Sequence, residues 1–358
     1  MNLEDIFLPA EQISAEPWQL GSIITSEIQE NSIVLIFCSD YRGVSNGGAE
    51  MADFRNIRRE LYQLSKLDFE LPVCDLGDLV SGRTQQDTHF VLGEIVTMCR
   101  QKNAIPVVVG GSNELSYVLF SALNSLQQHL TYTQISNIVS LDNNGENLTE
   151  TNFLSRILSS KSFSLKNYHH LGYQKHLNAN DSVKLMREVD FDVIRLAEMM
   201  GSSERTEPFF RLADLVSVNC DAVESMGDGF SVNPQVNGLN RREICAYMKE
   251  AGLSQNLKAA GIFNANINSR NLLNHQLLAQ MIWHLIEGIN IQKSHPVEKA
   301  FETFWVMIGE EKFAFQRETF SDLWYFGNEE KAENLKPCAQ TDYEMAKKGY
   351  INPRLLKI

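Results

Sequence analysis

Three short segments carry the side chains of this sequence that are best suited to chemistry. They are GGSNE at residues 110–114, DNNGE at 142–146 and SVNCD at 217–221. Each follows an apolar run typical of a buried strand, at residues 105–109, 138–141 and 215–218. Carboxylates and amides grouped in this way could bind a metal ion or another polar ligand. Asparagine stands three times where a transition-metal site would use histidine or aspartate, which questions whether the site is still catalytic.

The elements around these segments indicate how they are brought together. Besides the runs above, strands are predicted at residues 33–37, 71–76, 168–171 and 257–263, and helices at 87–102, 113–126, 181–200 and 272–289. This alternation of strands and helices predicts an α/β fold with a mostly parallel sheet and helices on both faces. Sheets of this kind build their sites at the carboxyl ends of the strands.

The pattern changes after about residue 292. Residues 301–308 and 312–315 are predicted strands joined by a turn, and aromatic residues follow them. We therefore divide the chain into an α/β domain at 1–291, which includes a lead-in segment at 1–30, and a C-terminal extension at 292–358. The extension is expected to pack on the domain or on a subunit partner.

Composition excludes several classes of function. A hydrophobic content of 43% and a charged content of 22% are ordinary for a globular protein of 358 residues. The formal charge of −13 argues against binding to nucleic acid or to an anionic membrane. No apolar run approaches the roughly 18 residues of a membrane span. Six dispersed cysteines and the absence of a signal-peptide pattern predict a cytoplasmic protein.

The order of the three segments resembles that of the ureohydrolases, a family that includes arginase, agmatinase and formimidoylglutamase. The family pattern is Gly-Gly-x-His, then Asp-Ala-His-x-Asp, then Ser-x-Asp-x-Asp. Glu114, directly after the first segment, resembles the formimidoylglutamase branch. The resemblance covers roughly residues 33–290. It implies a three-layer α/β/α sandwich with a central, mostly parallel sheet of about eight strands, and a homo-oligomer.

In that family two manganese ions share a bridging hydroxide, which attacks a guanidine or formimino carbon. Two histidines and four aspartates usually hold the ions. Carried over by the resemblance, the ligand positions fall on Asn113, Asp142, Asn144, Glu146, Asn219 and Asp221. The acid that binds the substrate in the family falls on or beside Asn264.

These substitutions predict that the binuclear centre is lost. A neutral amide oxygen is a poorer manganese ligand than imidazole or carboxylate, and the amide of Asn219 is poorly suited to bridge two cations. Without metal, clustered carboxylates would repel one another, whereas asparagine keeps hydrogen-bonding capacity without charge. We therefore expect no manganese and a polar network in its place. One alternative is a single calcium or magnesium ion held by Asp142, Glu146, Asp221 and amide oxygens.

Three functions follow from these alternatives. The first is a non-catalytic homologue that binds a partner or a small ligand. The second is a binding module for a guanidino or amino-acid-like metabolite. The third is an active hydrolase of C–N bonds in linear amidines, of the formimidoylglutamase or arginase type, with an altered metal site. We do not expect a nucleophilic mechanism, because strand alternation turns Cys220 away from the site and no histidine base is predicted beside Ser112.

Overall fold

The structure is a computed structural model that describes residues 3–45, 47–48, 52–142, 145–200, 203–225, 227–327 and 335–356. Its central sheet contains ten described strands. They are β1 Phe7–Leu8, β2 Ile24–Thr25, β3 Ile33–Cys38, β4 Val73–Leu79, β5 Ile105–Val109, β6 Leu130–Ile135, β7 Leu165–Tyr173, β8 Asp192–Arg195, β9 Leu215–Asn219 and β10 Ala259–Phe263.

The strand order is β1-β4-β3-β5-β10-β9-β6-β7-β8, and β2 also pairs with β4. Strands β2 to β10 all run parallel to one another, whereas β1 is antiparallel to β4. Strands β3, β5 and β10 consist almost entirely of apolar residues because both faces of the sheet are covered. The predicted fold class is thus confirmed, and the two short strands β1 and β2 enlarge the expected sheet of about eight.

The helices form a layer on each face of the sheet. They are α1 Arg55–Tyr62, α2 Gln85–Gln101, α3 Leu115–Leu126, α4 Phe153–Ser159, α5 Asn180–Glu188, α6 Leu196–Met199, α7 Arg241–Gly252 and α8 Leu272–Ser294. Helices α1, α6, α7 and α8 contribute side chains to one hydrophobic cluster, and α2 to α5 contribute to the other. Capping boxes at Thr84 and Asn240 fix where α2 and α7 begin.

Two sequence predictions were wrong. The strand expected at 138–141 is not there, and the sheet instead takes β6 from the preceding residues. The strand β6 carries polar side chains although it is fully buried, so its sequence lacks the apolar run that marks a buried strand. The helix expected at 181–200 is divided into α5, β8 and α6, with Asp190 at a positive φ of 61° between α5 and β8.

The C-terminal extension forms a small antiparallel sheet in the order β11-β12-β13-β14. Its elements are β11 Phe301–Ile308, β12 Glu311–Glu318, β13 Trp324–Phe326, β14 Lys336–Cys338, α9 Gln340–Lys347 and α10 Pro353–Leu356. Both strands predicted here are confirmed. One face packs on Tyr343 of α9, and the other presents Tyr325 to the guanidinium of Arg211 in the α/β domain.

Arg211 is the main polar link between the two sheets. Its guanidinium donates hydrogen bonds to the backbone carbonyl oxygens of Trp324 and Cys338, and it forms an ion pair with Glu207. None of the described helices has the length and apolar character needed to cross a membrane.

Candidate functional site

The candidate site lies at the carboxyl ends of four neighbouring strands. The four strands are adjacent in the sheet in the order β5-β10-β9-β6. β5 leads into residues 110–114 and β10 into Asn264, while β9 leads into Asp221 and β6 into residues 136–140. The turn after β5 needs glycine, because Gly110 and Gly111 have φ values of 86° and 74°. The structure therefore brings the first and third sequence segments together at the edge where open α/β sheets bind their ligands.

The side chain of Asn264 lies at the centre of this site. Its amide nitrogen donates hydrogen bonds of 2.6 Å to Glu150 Oε2 and 2.7 Å to Asp221 Oδ2. Its amide oxygen accepts a hydrogen bond of 3.0 Å from the backbone N–H of Asn113. Asn264 is fully buried and has a positive φ of 58°, which asparagine tolerates better than most residues. One neutral side chain thus connects two carboxylates with the first segment.

A second amide bridges the same two carboxylates. The Nδ2 atom of Asn233 lies 3.1 Å from Asp221 Oδ2 and 3.3 Å from both Glu150 carboxylate oxygens. The backbone N–H of Asn233 also donates to Asp221 Oδ1 at 3.2 Å. We call Glu150, Asp221, Asn233 and Asn264 the amide–carboxylate cluster. All the carboxylate oxygens of this cluster accept hydrogen bonds from amide groups.

Burial makes these two carboxylates weaker acids. The pKa of Glu150 is raised to about 7, chiefly by burial and also by the negative charges of Asp221 and Glu114, while the hydrogen bonds from Asn264 and Asn233 oppose this rise. Burial also raises the pKa of Asp221 above its ordinary value, against hydrogen bonds from Asn264 and Asn233 that favour the charged form. The cluster therefore takes up a proton near neutral pH, which relieves repulsion between its carboxylates.

Sequence reasoning did not find Glu150 or Asn233. Glu150 lies in the loop before α4, and the hydrogen bond from its backbone N–H to the Gly43 carbonyl oxygen holds this loop against another one. No local pattern marks a loop carboxylate of this kind. Asn233 lies in the loop that follows β9, and neither residue belongs to a motif of fixed spacing.

Asn113 and Asn219 have their own hydrogen-bond partners. Asn113 Oδ1 accepts from Gln134 Nε2 at 3.3 Å, while Asn113 Nδ2 has no hydrogen-bond partner among the described residues. Asn219 Oδ1 accepts from the backbone N–H of Asp221 at 2.9 Å, and Asn219 Nδ2 lies 3.4 Å from Ser136 Oγ. The predicted positions 113, 219, 221 and 264 are therefore in one place.

The second predicted segment lies elsewhere. Asp142 and Glu146 are exposed, and the hydrogen bonds found for the segment use its backbone, such as that from the Asp142 N–H to the Thr151 carbonyl oxygen. Asn144 lies outside the described residues. The segment that directly follows β6 is instead SNIVS at 136–140, in which Ser136 and Ser140 are buried.

Glu114 is fully buried beside the cluster. Its Oε1 atom accepts a hydrogen bond of 2.7 Å from the hydroxyl of Ser112 and one of 3.1 Å from Gln85 Nε2. A Cβ atom on Gly43 would lie 1.8 Å from Glu114 Oε2, so any other residue at position 43 would force the buried Glu114 carboxylate to move. The hydroxyl of Ser112 thus serves the neighbouring carboxylate. The thiol of Cys220 packs in the hydrophobic core, and burial raises its pKa well above the ordinary value.

The donors at these strand ends do not fit a pair of manganese ions. Among the residues that the structure describes, no group of three or more histidine, cysteine, aspartate or glutamate side chains could hold a metal ion. Positions 113, 136, 219 and 264 supply amides and a hydroxyl, and both oxygens of Asp221 already accept amide hydrogen bonds. Such a set offers two cations neither imidazole nor sufficient negative charge.

Comparison with known proteins identifies the architecture. No protein-family model matches the sequence, and no curated protein matches it. Among solved structures, formiminoglutamase from Trypanosoma cruzi, determined with Mn²⁺, gives a TM-score of 0.68 at 19% identity, covering 78% of this chain and 99% of that chain. The chain has the ureohydrolase fold.

Two further structures with the ureohydrolase fold support this assignment. Formimidoylglutamase from Bacillus subtilis gives a TM-score of 0.67 at 14% identity, covering 80% of this chain and 97% of that chain. Proclavaminate amidino hydrolase from Streptomyces clavuligerus gives 0.64 at 15% identity, covering 79% of this chain and 100% of that chain. Each of these three structures thus leaves about a fifth of this chain uncovered.

Proposed function

We propose that this protein is a non-catalytic homologue of the ureohydrolases, without the binuclear manganese centre, and that it acts by binding a small ligand or a partner. The observation that carries the proposal is the position of Asn264. Its amide nitrogen lies within 2.7 Å of carboxylate oxygens of both Glu150 and Asp221. A hydrogen-bond donor thus stands between the acids in the position that a cation would need.

The proposal includes a revised alignment of the second motif. The family pattern Asp-Ala-His-x-Asp follows a strand directly, and the segment directly after β6 is residues 136–140. In this alignment the two aspartates become Ser136 and Ser140, and the histidine becomes Ile138. Asp142, Asn144 and Glu146 then have no counterpart among the metal ligands. Of the six family ligands, the chain would keep Asp221 alone.

Charge supports the same conclusion. With Asn113, Ser136, Ile138, Ser140 and Asn219 at the five remaining ligand positions, Asp221 would be the one carboxylate left to neutralise two divalent cations. None of these replacements carries a charge. The asparagines and serines keep hydrogen-bonding groups, whereas Ile138 is apolar. Most of the buried polar groups at the site are paired with one another, as in a protein interior that is stable without metal, although Asn113 Nδ2 has no partner among the described residues.

The amide–carboxylate cluster also indicates which ligands to examine first. When they are deprotonated, Glu150 and Asp221 present negative charge at a depth where water competes poorly. A small ligand with a guanidino or amino group would complement that charge. The six cysteines are buried and free, which supports our proposal that the protein works in the reducing cytoplasm.

The test is an assay of C–N bond hydrolysis with formiminoglutamate, arginine and agmatine, each with added Mn²⁺. We expect no turnover above that of the Asp221→Asn variant. Turnover that depends on Mn²⁺ and disappears in Asp221→Asn would overturn the proposal and establish the alternative, an active hydrolase with an altered metal site. Binding of the same compounds is measured by the shift that they cause in the melting temperature. A shift without turnover would indicate a binding module for such compounds, and no shift would indicate that the ligand belongs to another class.

A further inference from the structure

Two cavities lie side by side where the central sheet ends at strand β8. The first has a volume of about 600 Å³ and lies at the carboxyl ends of β7 and β8, against α5. The second has a volume of about 790 Å³ and lies between β8 and the helices α9 and α10 of the C-terminal extension. Arg187 and Glu198 line both cavities, so the two form one cleft. Clefts at the carboxyl ends of parallel strands and between structural units are common places for ligands.

The first cavity carries positive charge that the protein does not neutralise. We call it the basic chamber, because its lining includes four cationic side chains, those of Lys175, Lys184, Arg187 and Arg195. Among the described residues only Lys184 forms an ion pair, at 3.5 Å from Glu188. The other acid of the lining, Glu198, accepts a hydrogen bond of 3.2 Å from the backbone N–H of Arg195. In a chain of formal charge −13, three unpaired cations around one cavity favour an anionic ligand.

The second cavity places apolar and aromatic side chains beside this charge. We call it the aromatic chamber, because Phe191 and Phe209 of the α/β domain line it together with Met345 and Tyr350 of the extension. Met345 is 44% exposed and Tyr350 is 51% exposed, so both can contact a ligand. Small-molecule sites combine walls of this kind with a few polar groups, in volumes of this order.

The unpaired positive charge continues into the aromatic chamber. Its two aspartates have cationic partners, since Asp192 Oδ2 lies 2.9 Å from His169 Nδ1 and Asp342 Oδ2 lies 3.7 Å from the Arg354 guanidinium. Arg205 also lines this chamber and has no ion-pair partner in the part of the chain that the structure describes. Arg187, at the junction of the chambers, donates a hydrogen bond of 3.4 Å to the Tyr173 hydroxyl. Two guanidinium groups therefore remain for an anion that reaches from one chamber into the other.

We propose that this cleft binds a nucleoside polyphosphate, with the phosphates in the basic chamber and the base in the aromatic chamber. A guanidinium group donates paired hydrogen bonds to phosphate oxygens, and several cations along one cleft match the closely spaced charges of a phosphate chain. The exposed ring of Tyr350 offers a face on which a base can stack. The cleft shares no lining residue with the amide–carboxylate cluster, so the inference holds whether or not the protein is catalytic.

Isothermal titration calorimetry of the full chain with ATP, pyrophosphate and adenosine tests the proposal, in buffer without divalent cations. ATP should bind roughly tenfold more tightly than pyrophosphate, because the stacked base adds to the attraction between charges. Adenosine should bind more weakly than either, because it carries no charge for the basic chamber. Added sodium chloride should weaken the binding of both anions, because it screens exposed charges.

Three variants separate the two chambers. Arg187→Glu reverses the charge at their junction and should weaken both ATP and pyrophosphate by more than about tenfold. Tyr350→Ala removes the stacking ring and should weaken ATP while leaving pyrophosphate unchanged. The matched control Lys166→Glu makes the same change of charge on an exposed residue at the other end of β7, roughly 23 Å from Tyr173 along the strand. It should bind both anions like the wild type.

Several results would overturn the proposal. One is the absence of ATP binding at millimolar concentration, and another is equal affinity for ATP and pyrophosphate, which would show attraction to charge alone. ATP affinity that is unchanged in Arg187→Glu, or equally weakened in Lys166→Glu, would place the anion elsewhere. If Tyr350→Ala weakens pyrophosphate as much as ATP, the base does not occupy the aromatic chamber. The melting temperature of each variant without ligand shows that a loss of binding does not come from unfolding.

Discussion

Replacing Glu150 by glutamine should make the stability of this protein less dependent on pH. Burial and neighbouring charge raise the pKa of Glu150 from its ordinary value of 4.5 to about 7. A carboxyl group with a higher pKa in the folded state binds its proton more tightly there than in the unfolded state. Its contribution to stability is therefore greatest at low pH, decreases as the pH rises from about 4.5 to 7, and stays constant above 7.

The magnitude follows from the same values. Moving the pKa from 4.5 to about 7 corresponds to about 3 kcal/mol of stability lost over that pH range. Glutamine does not ionise, and its one acceptor oxygen, placed at the Oε2 position, can still accept hydrogen bonds from the amides of Asn264 and Asn233. We compare the free energy of unfolding of the Glu150→Gln variant with that of the wild type. Between pH 4.5 and pH values above 7, this difference should change by about 3 kcal/mol in favour of the variant.

Urea unfolding at several pH values between 4.5 and 8.5 measures this difference. Glu146→Gln is the matched control, because Glu146 is exposed and the change is chemically the same. The stability of the control should follow that of the wild type at every pH. If Glu150→Gln also follows the wild type, the carboxylate is not destabilised by its surroundings and our account of the amide–carboxylate cluster fails.

Three further substitutions test other contacts. Gly43→Ala should destabilise the fold by about 1–3 kcal/mol, because the new Cβ meets the Glu114 carboxylate. In denaturant titrations the double variant Gly43→Ala/Glu114→Ser should recover part of this stability. If it recovers none, the clash is not with Glu114. Arg211→Met should lower the stability of the fold by about 3–5 kcal/mol, because Glu207 loses its buried partner. The C-terminal sheet of this variant should also become sensitive to limited proteolysis, and an unchanged cleavage pattern would contradict this. Asn264→Asp adds a carboxylate to the amide–carboxylate cluster and should therefore lower the melting temperature more at pH 8 than at pH 6. Added Mn²⁺ should raise the melting temperature of this variant but not that of the wild type.

The α/β architecture was predictable because most strands of the sheet are continuous apolar runs. β3, β5, β9 and β10 are buried along their whole length and consist largely of apolar residues, so the sequence alone indicates them. The first and third site segments follow two of these strands directly. Their side chains were therefore predictable as neighbours once the sheet was taken to be parallel.

The sequence placed the second site segment at residues 142–146, where Asp142 and Glu146 are exposed, because β6 lacks the apolar run that marks a buried strand. Tyr132 bonds to Ser217 Oγ, the hydroxyl of Thr133 donates to the Phe209 carbonyl oxygen, and Gln134 donates to Asn113. Every one of these partners is distant in the sequence. A polar sequence can therefore form a buried strand only because the finished fold satisfies its side chains, and a local pattern carries no trace of that.

Glu150 and Asn233 were missed for a related reason. Both lie in loops, and both reach the site because contacts between loops hold them there. The sequence also assigned the carboxylates of Asp142 and Glu146 to the site, but both side chains are exposed. Glu150, which the sequence did not indicate, is the carboxylate that is buried in the amide–carboxylate cluster. The identity of the fold could thus be inferred from motif order, whereas the donor set required the positions of the side chains.

Direct measurement of Mn²⁺ binding shows whether the strand ends of this protein hold a binuclear manganese centre. The electron paramagnetic resonance signal of free Mn²⁺ is recorded while the ion is titrated into the wild-type protein, with Asp221→Asn as the reference. Because amides already occupy the carboxylate oxygens at the strand ends, the account predicts a free-ion signal equal to that of the reference throughout the titration. Loss of two equivalents of free Mn²⁺ per chain in the wild type, and not in Asp221→Asn, would contradict it.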